Sequence, residues 1–411
     1  MTRRPGLFDF FWEPNAPRWD RATFDRKDAY DLAVIEFDDQ GWYHKPESRN
    51  ALEAHLRQFE AEDLAIFVFI HGWRHNAAAT DDNLHSFRSL LRDAAKSEIG
   101  RTHKKKILGI YIGWRGLSLH GMLSYATFYT RMSTAFRVAV GSVREILALV
   151  RRHQRERNRN LSDEQIEQGL GTRLVLAGHS FGALVLFSAV AEYLIESIAR
   201  PKKVVRPFGD LIILVNPAFE ATRYQPLVTA ALARGGYPSG QRVCFMAVTA
   251  ANDWATGITF PIGRWFGTWF EAVRRIKIDG ITDHAQRDAN LNTIGHIKWL
   301  RTHRLTAPVQ PAAAPATAKY EGRKEGPDLA KENADFTVFN EQWRRDGVLQ
   351  EHWERTYSDG AHLQHVAGDA SNPFWIVEAS KEVVDGHNGI FRPVFLDFLR
   401  QLADDRMRRA I

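Results

Sequence analysis

The chain has 411 residues, of which 44% are apolar and one, Cys244, is a cysteine. This length suits one large domain or two modest ones, and a single cysteine excludes a disulfide framework and a structural zinc site built on cysteines. Lysine and arginine exceed aspartate and glutamate by 55 to 49, a formal charge of +6, but the excess is spread along the chain and does not indicate nucleic acid as a partner.

No segment approaches 18 uninterrupted apolar residues, and the basic start at residues 1–6 lacks the apolar stretch of a signal peptide. We therefore expect a cytoplasmic protein without a transmembrane helix. Residues 1–31 show little periodicity, and we interpret them as an N-terminal arm that lies on the domain.

Short apolar runs recur along the chain and predict strands that are covered on both faces. A strand at 32–37 is followed by a tight turn at 39–41 and a short second strand at 42–43. The later runs are at 64–70, 107–112, 174–177, 211–215, 243–248 and 374–377.

Apolar residues at helical spacing lie between these runs. They predict helices at 52–59, 84–91, 138–150, 183–198, 227–233 and 394–402. Strands that alternate with helices predict an α/β protein with a mostly parallel sheet and helices on both of its faces.

The interval between Val248 and Phe374 shows no clear sheet strand and contains an alanine- and proline-rich tract at 306–319. We interpret residues 254–372 as a cap or lid insertion, with a flexible loop at about 306–332. The core domain then consists of residues 32–253 and 373–411.

The central motif is Gly178-His179-Ser180-Phe181-Gly182, between a predicted strand and a predicted helix. A serine at a sharp strand-to-helix turn projects its hydroxyl above the sheet, and glycines two positions before and after avoid collisions with neighbouring elements. The motif predicts that Ser180 is a nucleophile.

A second motif, His71-Gly72-Trp73, follows the earlier buried strand at 64–70. A loop in this position donates one backbone N–H to a developing oxyanion, and the residue after the nucleophile donates another. We predict that these donors are Trp73 and Phe181.

With these motifs, the chain resembles the α/β-hydrolase superfamily, and most of all its bacterial serine-esterase-type members. The resemblance covers about 32–248 and 373–411, and it also rests on Asn216-Pro217-Ala218 and on the segment 385–389. It implies the α/β-hydrolase fold with a large insertion before the last strand, a nucleophile–acid–histidine order along the chain, and no cofactor.

The general base of such a site is a histidine after the last strand. Among 16 histidines, His387 has that position, in the glycine-flanked loop 385–389. His296 and His303 are the alternatives, and both fall in the predicted insertion.

The acid that orients the histidine is expected in a loop after a late strand. Asp253 follows the predicted strand 243–248 and is our candidate. Glu220 is an alternative one strand earlier, and Asp385 is another, although it would more naturally shape the loop of His387. Asp253 could instead cap the next helix, and Asn252 could simply fill the turn.

We expect His71, Gly72, Trp114 and His179 to border the substrate, with His71 bracing its loop. His71 and His75 could suggest a metal pair, but no carboxylate stands at ligand spacing, so we predict no metal site.

The stretch 258–278 combines aromatic residues with four cations, and Trp265, Trp269 and Val273 would share one helix face. Such a stretch suits a lid over an apolar acyl pocket, a contact with an anionic membrane surface, or a buried helix.

The sequence thus predicts a cofactor-free, lipase-like serine hydrolase that cleaves carboxylic esters, including lipid or other apolar acyl esters. The alternative is a non-catalytic module that binds a lipid or protein partner on a hydrolase fold.

Overall fold

The computed structural model describes residues 24–26, 29–72, 75–99, 101, 103–114, 128–162, 165–166, 169–199, 205, 208–238, 241–261, 264, 285–309, 319–345, 348–349 and 351–406. Thirteen strands lie in these residues. They are β1 (Phe24–Arg26), β2 (Tyr30–Phe37), β3 (Leu64–Ile70), β4 (Lys106–Trp114), β5 (Arg173–His179), β6 (Leu211–Val215), β7 (Phe245–Ala250), β8 (His303–Thr306), β9 (Arg344–Arg345), β10 (Val348–Leu349), β11 (Glu354–Thr356), β12 (His362–His365) and β13 (Phe374–Ala379).

Eleven of these strands form one sheet in the order β1-β2-β4-β3-β5-β6-β7-β13-β8-β12-β11, and β9 and β10 pair separately. Across the sheet, every pair of neighbours in the central run β2-β4-β3-β5-β6-β7-β13-β8 is parallel. The outer pairs β1–β2, β8–β12 and β12–β11 are antiparallel. The described residues therefore confirm an α/β architecture with a mostly parallel sheet.

Nine α-helices lie in the described part of the chain. They are α1 (Pro46–Gln58), α2 (Asp82–Glu98), α3 (Phe128–Val140), α4 (Val143–Arg157), α5 (Phe181–Ala199), α6 (Gln225–Arg234), α7 (Ala285–Leu291), α8 (Leu329–Trp343) and α9 (Pro393–Arg406).

The two faces of the sheet carry separate apolar clusters because successive strand side chains point in opposite directions. In β3, Leu64 and Ile66 belong to the cluster that also contains residues of α1, α3, α4, α5 and α6. Ala65 and Phe69 point the other way, toward α2 and α9. Helices cover both faces, as the sequence predicts.

The predicted helix at 138–150 is wrong, because the structure divides it between α3 and α4. The N–H of Ser142 donates to the carbonyl of Gly41 at 2.9 Å, in the turn after β2. This bond directs the backbone away from the course of α3. After the break, α4 continues through the charged segment to Arg157, because only one of its faces needs to be apolar.

The prediction of no sheet strand between Val248 and Phe374 is also wrong. β8 pairs with β13, and β12 and β11 extend the sheet beyond it. These strands have only three or four residues and alternate buried positions with partly or fully exposed ones, so they lack continuous apolar runs. The division into core and insertion stays a prediction.

Among the described residues, α5 is long and apolar enough to cross a membrane by length and composition alone. Ten of its residues are buried, and it packs on β5, α3 and α6. In this fold α5 is a core helix of the sheet's more extensively covered face.

Candidate functional site

The turn between β5 and α5 holds Ser180 in a left-handed backbone conformation, with φ of 55°. This region costs an ordinary residue about 1–3 kcal/mol, so surrounding contacts must maintain it. The N–H of Ser180 donates to the carbonyl of Val215 at 3.0 Å, and its carbonyl accepts from Ala183 at 3.1 Å and Ala218 at 3.2 Å. Backbone bonds from two elements therefore hold the serine at the end of β5.

Close backbone approach explains two glycines around this serine. A Cβ at Gly182 would lie 2.2 Å from the carbonyl oxygen of Ile70, and a Cβ at Gly72 would lie 2.7 Å from the Cβ of Ser180. Neither distance is sterically possible. The loop after β3 therefore runs directly beside Ser180 only because residue 72 has no side chain.

Ser180, His387 and Asp253 form a continuous chain of hydrogen bonds. The hydroxyl of Ser180 lies 2.8 Å from Nε2 of His387, and Nδ1 of His387 lies 2.9 Å from Oδ2 of Asp253. Since the carboxylate accepts from Nδ1–H, the unprotonated Nε2 accepts from the serine hydroxyl. Three residues that are far apart in sequence thus meet at the carboxyl edge of one sheet.

The strand order brings these residues together. Ser180 follows β5, Asp253 follows β7 and His387 lies in the loop after β13, and these strands run parallel within one part of the sheet. Ser180 and Asp253 are each 2% exposed, whereas the His387 side chain is 15% exposed. The chain of bonds is therefore buried at the acid and partly open to solvent at the imidazole.

Asp253 is held by donors on both carboxylate oxygens. Oδ1 accepts from the N–H groups of Ala255 at 2.9 Å and Thr256 at 3.2 Å, and Oδ2 accepts from the Thr256 hydroxyl at 2.5 Å. Burial alone would raise the pKa of Asp253, but His387 and the Thr256 donors outweigh it and lower this pKa to about 2. Asp253 is therefore a carboxylate at neutral pH. Through Oδ1 it also caps the helical turn that follows. Asp253 therefore makes both contacts that the sequence suggests, one with the histidine and one with the next helix.

His296, an alternative base, lies one step further from the serine. Its Nε2 is 3.0 Å from Oγ1 of Thr256, which already donates its proton to Asp253, so Nε2–H is the donor. Burial lowers the pKa of His296 and keeps its ring neutral. The structure therefore places His296 behind the acid.

His303, the other alternative, lies on β8 at the far side of β13. Its ring packs against Trp375 at 4.4 Å and His365 at 5.1 Å between centroids, and it is 1% exposed. The structure does not bring it to Ser180.

Two buried side chains hold the carbonyl of His387 itself. Nδ2 of Asn216 and Nε2 of His179 each donate to this oxygen at 2.8 Å. Asn216 also donates to the carbonyl of Gly386 at 3.0 Å and accepts from the N–H of Ala250 at 2.9 Å. Burial lowers the pKa of His179 well below its usual value, so its ring stays neutral. The loop of His387 is thereby tied to the ends of β5, β6 and β7.

A second set of bonds shapes the same loop. Nδ2 of Asn252 donates to Asp385 at 2.9 Å, and Oδ1 of Asn252 accepts from the N–H of Gly386 at 2.8 Å. Nη2 of Arg392 donates to the other oxygen of Asp385 at 2.9 Å. Asp385 therefore shapes the loop, as one of the sequence interpretations has it, and its carboxylate is engaged with Asn252 and Arg392.

Sequence reasoning missed the roles of Asn216, Asn252 and Thr256 in holding this site. The sequence indicates Asn216 only through the resemblance, and Asn252 only as a turn residue. The available signal is position, since Asn216 directly follows β6, and Asn252 and Thr256 lie in the segment that follows β7, at the same sheet edge as Ser180.

The alternative acid Glu220 faces a different set of partners. Its carboxylate pairs with Arg223 at 2.8 Å and with Arg264 at 3.0 Å, and the residue is 3% exposed. These ion pairs engage both oxygens of Glu220. The acid that contacts His387 in the structure is Asp253.

His71 and Trp114 brace each other at the ends of β3 and β4. The backbone N–H of Trp114 donates to Nε2 of His71 at 3.0 Å, its indole N–H donates to the carbonyl of His71 at 2.9 Å, and the rings are parallel within 3°. Burial lowers the pKa of His71 to about 4. Like His179, both side chains are buried, and Gly72 is the residue of the loop after β3 whose backbone approaches Ser180 directly.

Of the two expected oxyanion donors, Phe181 and Trp73, the structure describes only Phe181. Phe181 is the first residue of α5, where backbone N–H groups point out of the helix end. Trp73 lies outside the described residues, as do Trp265, Trp269 and Val273 of the aromatic stretch.

Within the described residues, no group of three or more His, Cys, Asp or Glu side chains could hold a metal ion, and His75 pairs with Asp81 at 3.1 Å.

No protein family matches the chain, and no curated protein matches it. A solved structure of an uncharacterized protein from Pseudomonas aeruginosa is similar over 54% of this chain, with 12% sequence identity and a TM-score of 0.20. This chain spans 41% of that protein's length, and a likeness at this level carries no information on fold family or function.

Proposed function

We propose that the protein is a serine hydrolase with the α/β-hydrolase fold and that it cleaves carboxylic esters with a triad of Ser180, His387 and Asp253. One observation carries this proposal. A serine in a strained strand-to-helix turn lies 2.8 Å from an imidazole nitrogen whose other nitrogen lies 2.9 Å from a buried carboxylate. The order serine, acid, histidine along the chain also fits that fold.

In the first half of the reaction, the Ser180 hydroxyl gives its proton to Nε2 of His387 while Oγ attacks the ester carbonyl. Collapse of the tetrahedral intermediate breaks the bond to the leaving alcohol, which takes the proton from Nε2. The acyl group remains on Oγ. Asp253 keeps Nδ1 protonated and stabilises the imidazolium that forms between these steps.

In the second half, a water molecule replaces the alcohol. Nε2 of His387 takes a proton from this water as its oxygen attacks the acyl carbonyl. Collapse then releases the carboxylic acid and returns the proton to Oγ of Ser180. The cycle needs neither a metal nor an organic cofactor.

The negative oxygen of each tetrahedral intermediate requires hydrogen-bond donors. We assign this role to the backbone N–H groups of Phe181 and Trp73. Two features support the assignment: Phe181 begins α5 next to Ser180, and Gly72, which precedes Trp73, approaches Ser180 too closely for any side chain.

Exposed apolar side chains next to the acid favour an apolar acyl substrate. Trp254 is 72% exposed and Ile258 is 45% exposed, and both follow Asp253 within five positions. They could accept an acyl chain or, with the aromatic and basic stretch at 258–278, contact an anionic lipid surface. We propose esters of apolar acids, including lipids, as the substrate class.

The alternative function, a binding module without catalysis, predicts that the three residues are present but misaligned. The two hydrogen bonds that link Ser180 to Asp253 through His387 favour catalysis over that alternative, because a binding module has no need of them.

A fluorophosphonate probe tests the proposal, because it phosphonylates a serine that a neighbouring histidine activates. We expect the full chain to be labelled at Ser180, and S180A to be folded and unlabelled. Acyl esters of increasing length should show a preference for longer, apolar chains. Failure of the folded wild-type protein to react would reject the proposed activity.

A further inference from the structure

An apolar cavity of about 170 Å³ lies on the α2 and α9 face of the sheet. Ser180, His387 and Asp253 do not line it. Its floor consists of side chains from β3, β5 and β6, among them Phe67, Phe69, Val175 and Ile213. The cavity is therefore separate from the proposed ester-cleaving site.

Side chains on two helices border this space, and Ala94, Ser97 and Ala403 among them are small. On α2, Leu90, Ala94 and Ser97 recur at helical spacing along the side that faces the cavity, and on α9 Leu399 and Ala403 do the same. Protein interiors are ordinarily packed without voids of this size. A leucine at position 94 or 403 would occupy much of the space, yet both positions carry alanine.

A segment from the predicted insertion forms one border of the cavity. The Tyr320 hydroxyl donates to Asp93 of α2 at 2.6 Å, and the N–H of Arg323 donates to the same carboxylate at 3.0 Å. Tyr320, Arg323 and Pro327 all line the cavity. These bonds attach the segment to α2 at the edge of the apolar space.

The charges at this edge indicate which ligand chemistry fits. Arg101 pairs with Asp404 at 2.6 Å, and Asp397 pairs with both Arg323 and Arg400 at 2.7 Å. Acidic groups outnumber basic ones among the lining residues: Asp93, Glu98, Glu325, Asp397 and Asp404 against Arg101, Arg323 and Arg400. An anionic head group would meet a net negative edge whose arginines are already paired, so an uncharged ligand is favoured.

We propose that this cavity is a second ligand site, which takes a neutral apolar molecule the size of a single aromatic ring or a short alkyl chain. A cavity of about 150 Å³ lined by Leu, Ile and Phe in another protein stays dry and binds benzene, so the volume and lining here suit the same class. Ile390 and Phe391 also line the cavity and follow His387 by three and four positions. A bound molecule thus contacts the segment that continues from the His387 loop.

Calorimetric titration of the full chain with benzene and with benzoate tests this site. We expect benzene to bind at one site, and benzoate, which adds a carboxylate to the same ring, to bind at least about tenfold more weakly. Ala94→Leu and Ala403→Leu should each weaken benzene binding about tenfold or more, because the added side chain occupies the cavity.

Ala95→Leu is the matched control, since Ala95 neighbours Ala94 on α2 and packs against the core without lining the cavity. Its benzene affinity should stay within about twofold of the wild type. Fluorophosphonate labelling of Ser180 in the same variants reports separately on the triad. No benzene binding by the folded wild type, or equal binding by the wild type, A94L and A403L, would overturn the second site.

Discussion

Two histidines near β13, the partly exposed His387 and the buried His303, differ in what surrounds each ring. His387 has a hydroxyl at one nitrogen and a carboxylate at the other, at 2.8 and 2.9 Å. His303 has a bond from Nδ1 to the Thr302 hydroxyl at 2.7 Å, and within the described residues its Nε2 has no hydrogen-bond partner. Its other neighbours are aromatic rings, including Trp375.

The contrast shows that a histidine becomes a candidate base through its hydrogen-bond partners. A carboxylate selects the tautomer of His387 that leaves Nε2 facing the Ser180 hydroxyl, whereas burial among rings lowers the pKa of His303 well below its usual value. The first environment directs a ring nitrogen at a hydroxyl, and the second disfavours a charged ring.

The largest expected effect comes from comparing the loss of the His387 ring with the loss of the His303 ring. His387→Ala should reduce kcat on an acyl ester by about 10⁴-fold or more, because Ser180 loses its base. His303→Ala should leave kcat within about twofold and instead lower the free energy of unfolding by about 2 kcal/mol, because it opens a cavity. Steady-state kinetics and urea unfolding of both variants measure this difference, and a comparable loss of kcat in H303A would contradict our assignment.

The choice of acid can be tested with the same assay. Asp253→Asn should lower kcat by about 10⁴-fold, because an amide no longer holds the productive tautomer of His387. Glu220→Gln is the matched change at the alternative acid, whose carboxylate pairs with Arg223 and Arg264, and it should leave kcat nearly unchanged. The reverse pattern would assign the acid to Glu220.

A smaller effect is expected at Thr256, which contacts Asp253. Thr256→Val removes the hydroxyl that donates to Asp253, and a bond to a charged group contributes about 1.5–3 kcal/mol, so kcat should fall by about 10- to 100-fold. Thr256→Ser keeps the hydroxyl and should retain most of the activity.

The same substitution has a signature in acid stability. The lowered pKa of Asp253 stabilises the fold above its unfolded value of about 3.9, and this stability is lost as pH falls toward about 2. Without the Thr256 donor the pKa of Asp253 rises, so T256V should unfold at a higher pH than T256S. Equal kinetics and acid transitions in the two variants would exclude a role for the hydroxyl.

The smallest effect concerns the pH dependence of stability that His303 contributes. Burial lowers the pKa of His303, so the folded protein binds its proton less readily than the unfolded chain does. Stability from this residue is therefore present above the unfolded pKa of about 6.5 and is lost as pH falls below it, by up to about 1.4 kcal/mol per pH unit. His303→Phe, which cannot titrate, should flatten the pH dependence of urea unfolding between pH 5 and 6.5. An unchanged slope would contradict this account.

Local patterns in the sequence predicted much of the central sheet. The bounds of β3 and β6 agree with their apolar runs, and the motif around Ser180 lies between a strand and a helix as expected. These elements are predictable because strands covered on both faces need continuous apolar runs.

Local sequence patterns do not predict elements whose stability comes from distant partners. β8 pairs with β13 on one side and with β12 on the other, so a short alternating sequence suffices for these two strands. The break between α3 and α4 depends on a backbone bond to the turn at Gly41. Neither feature leaves a periodic pattern in its own segment.

The sequence by itself determined the alternation of strands and helices, the position of Ser180 at a sharp turn, and a short set of candidate acids and bases. Its information is local, because hydrophobic periodicity and glycine placement act over a few residues. Only the tertiary structure decided which candidates meet, because the parallel order of β5, β6, β7 and β13 brings residues 253 and 387 to one edge. The bonds of Asn216, Asn252 and Thr256, and the cavity behind the sheet, likewise exist only after distant segments pack together.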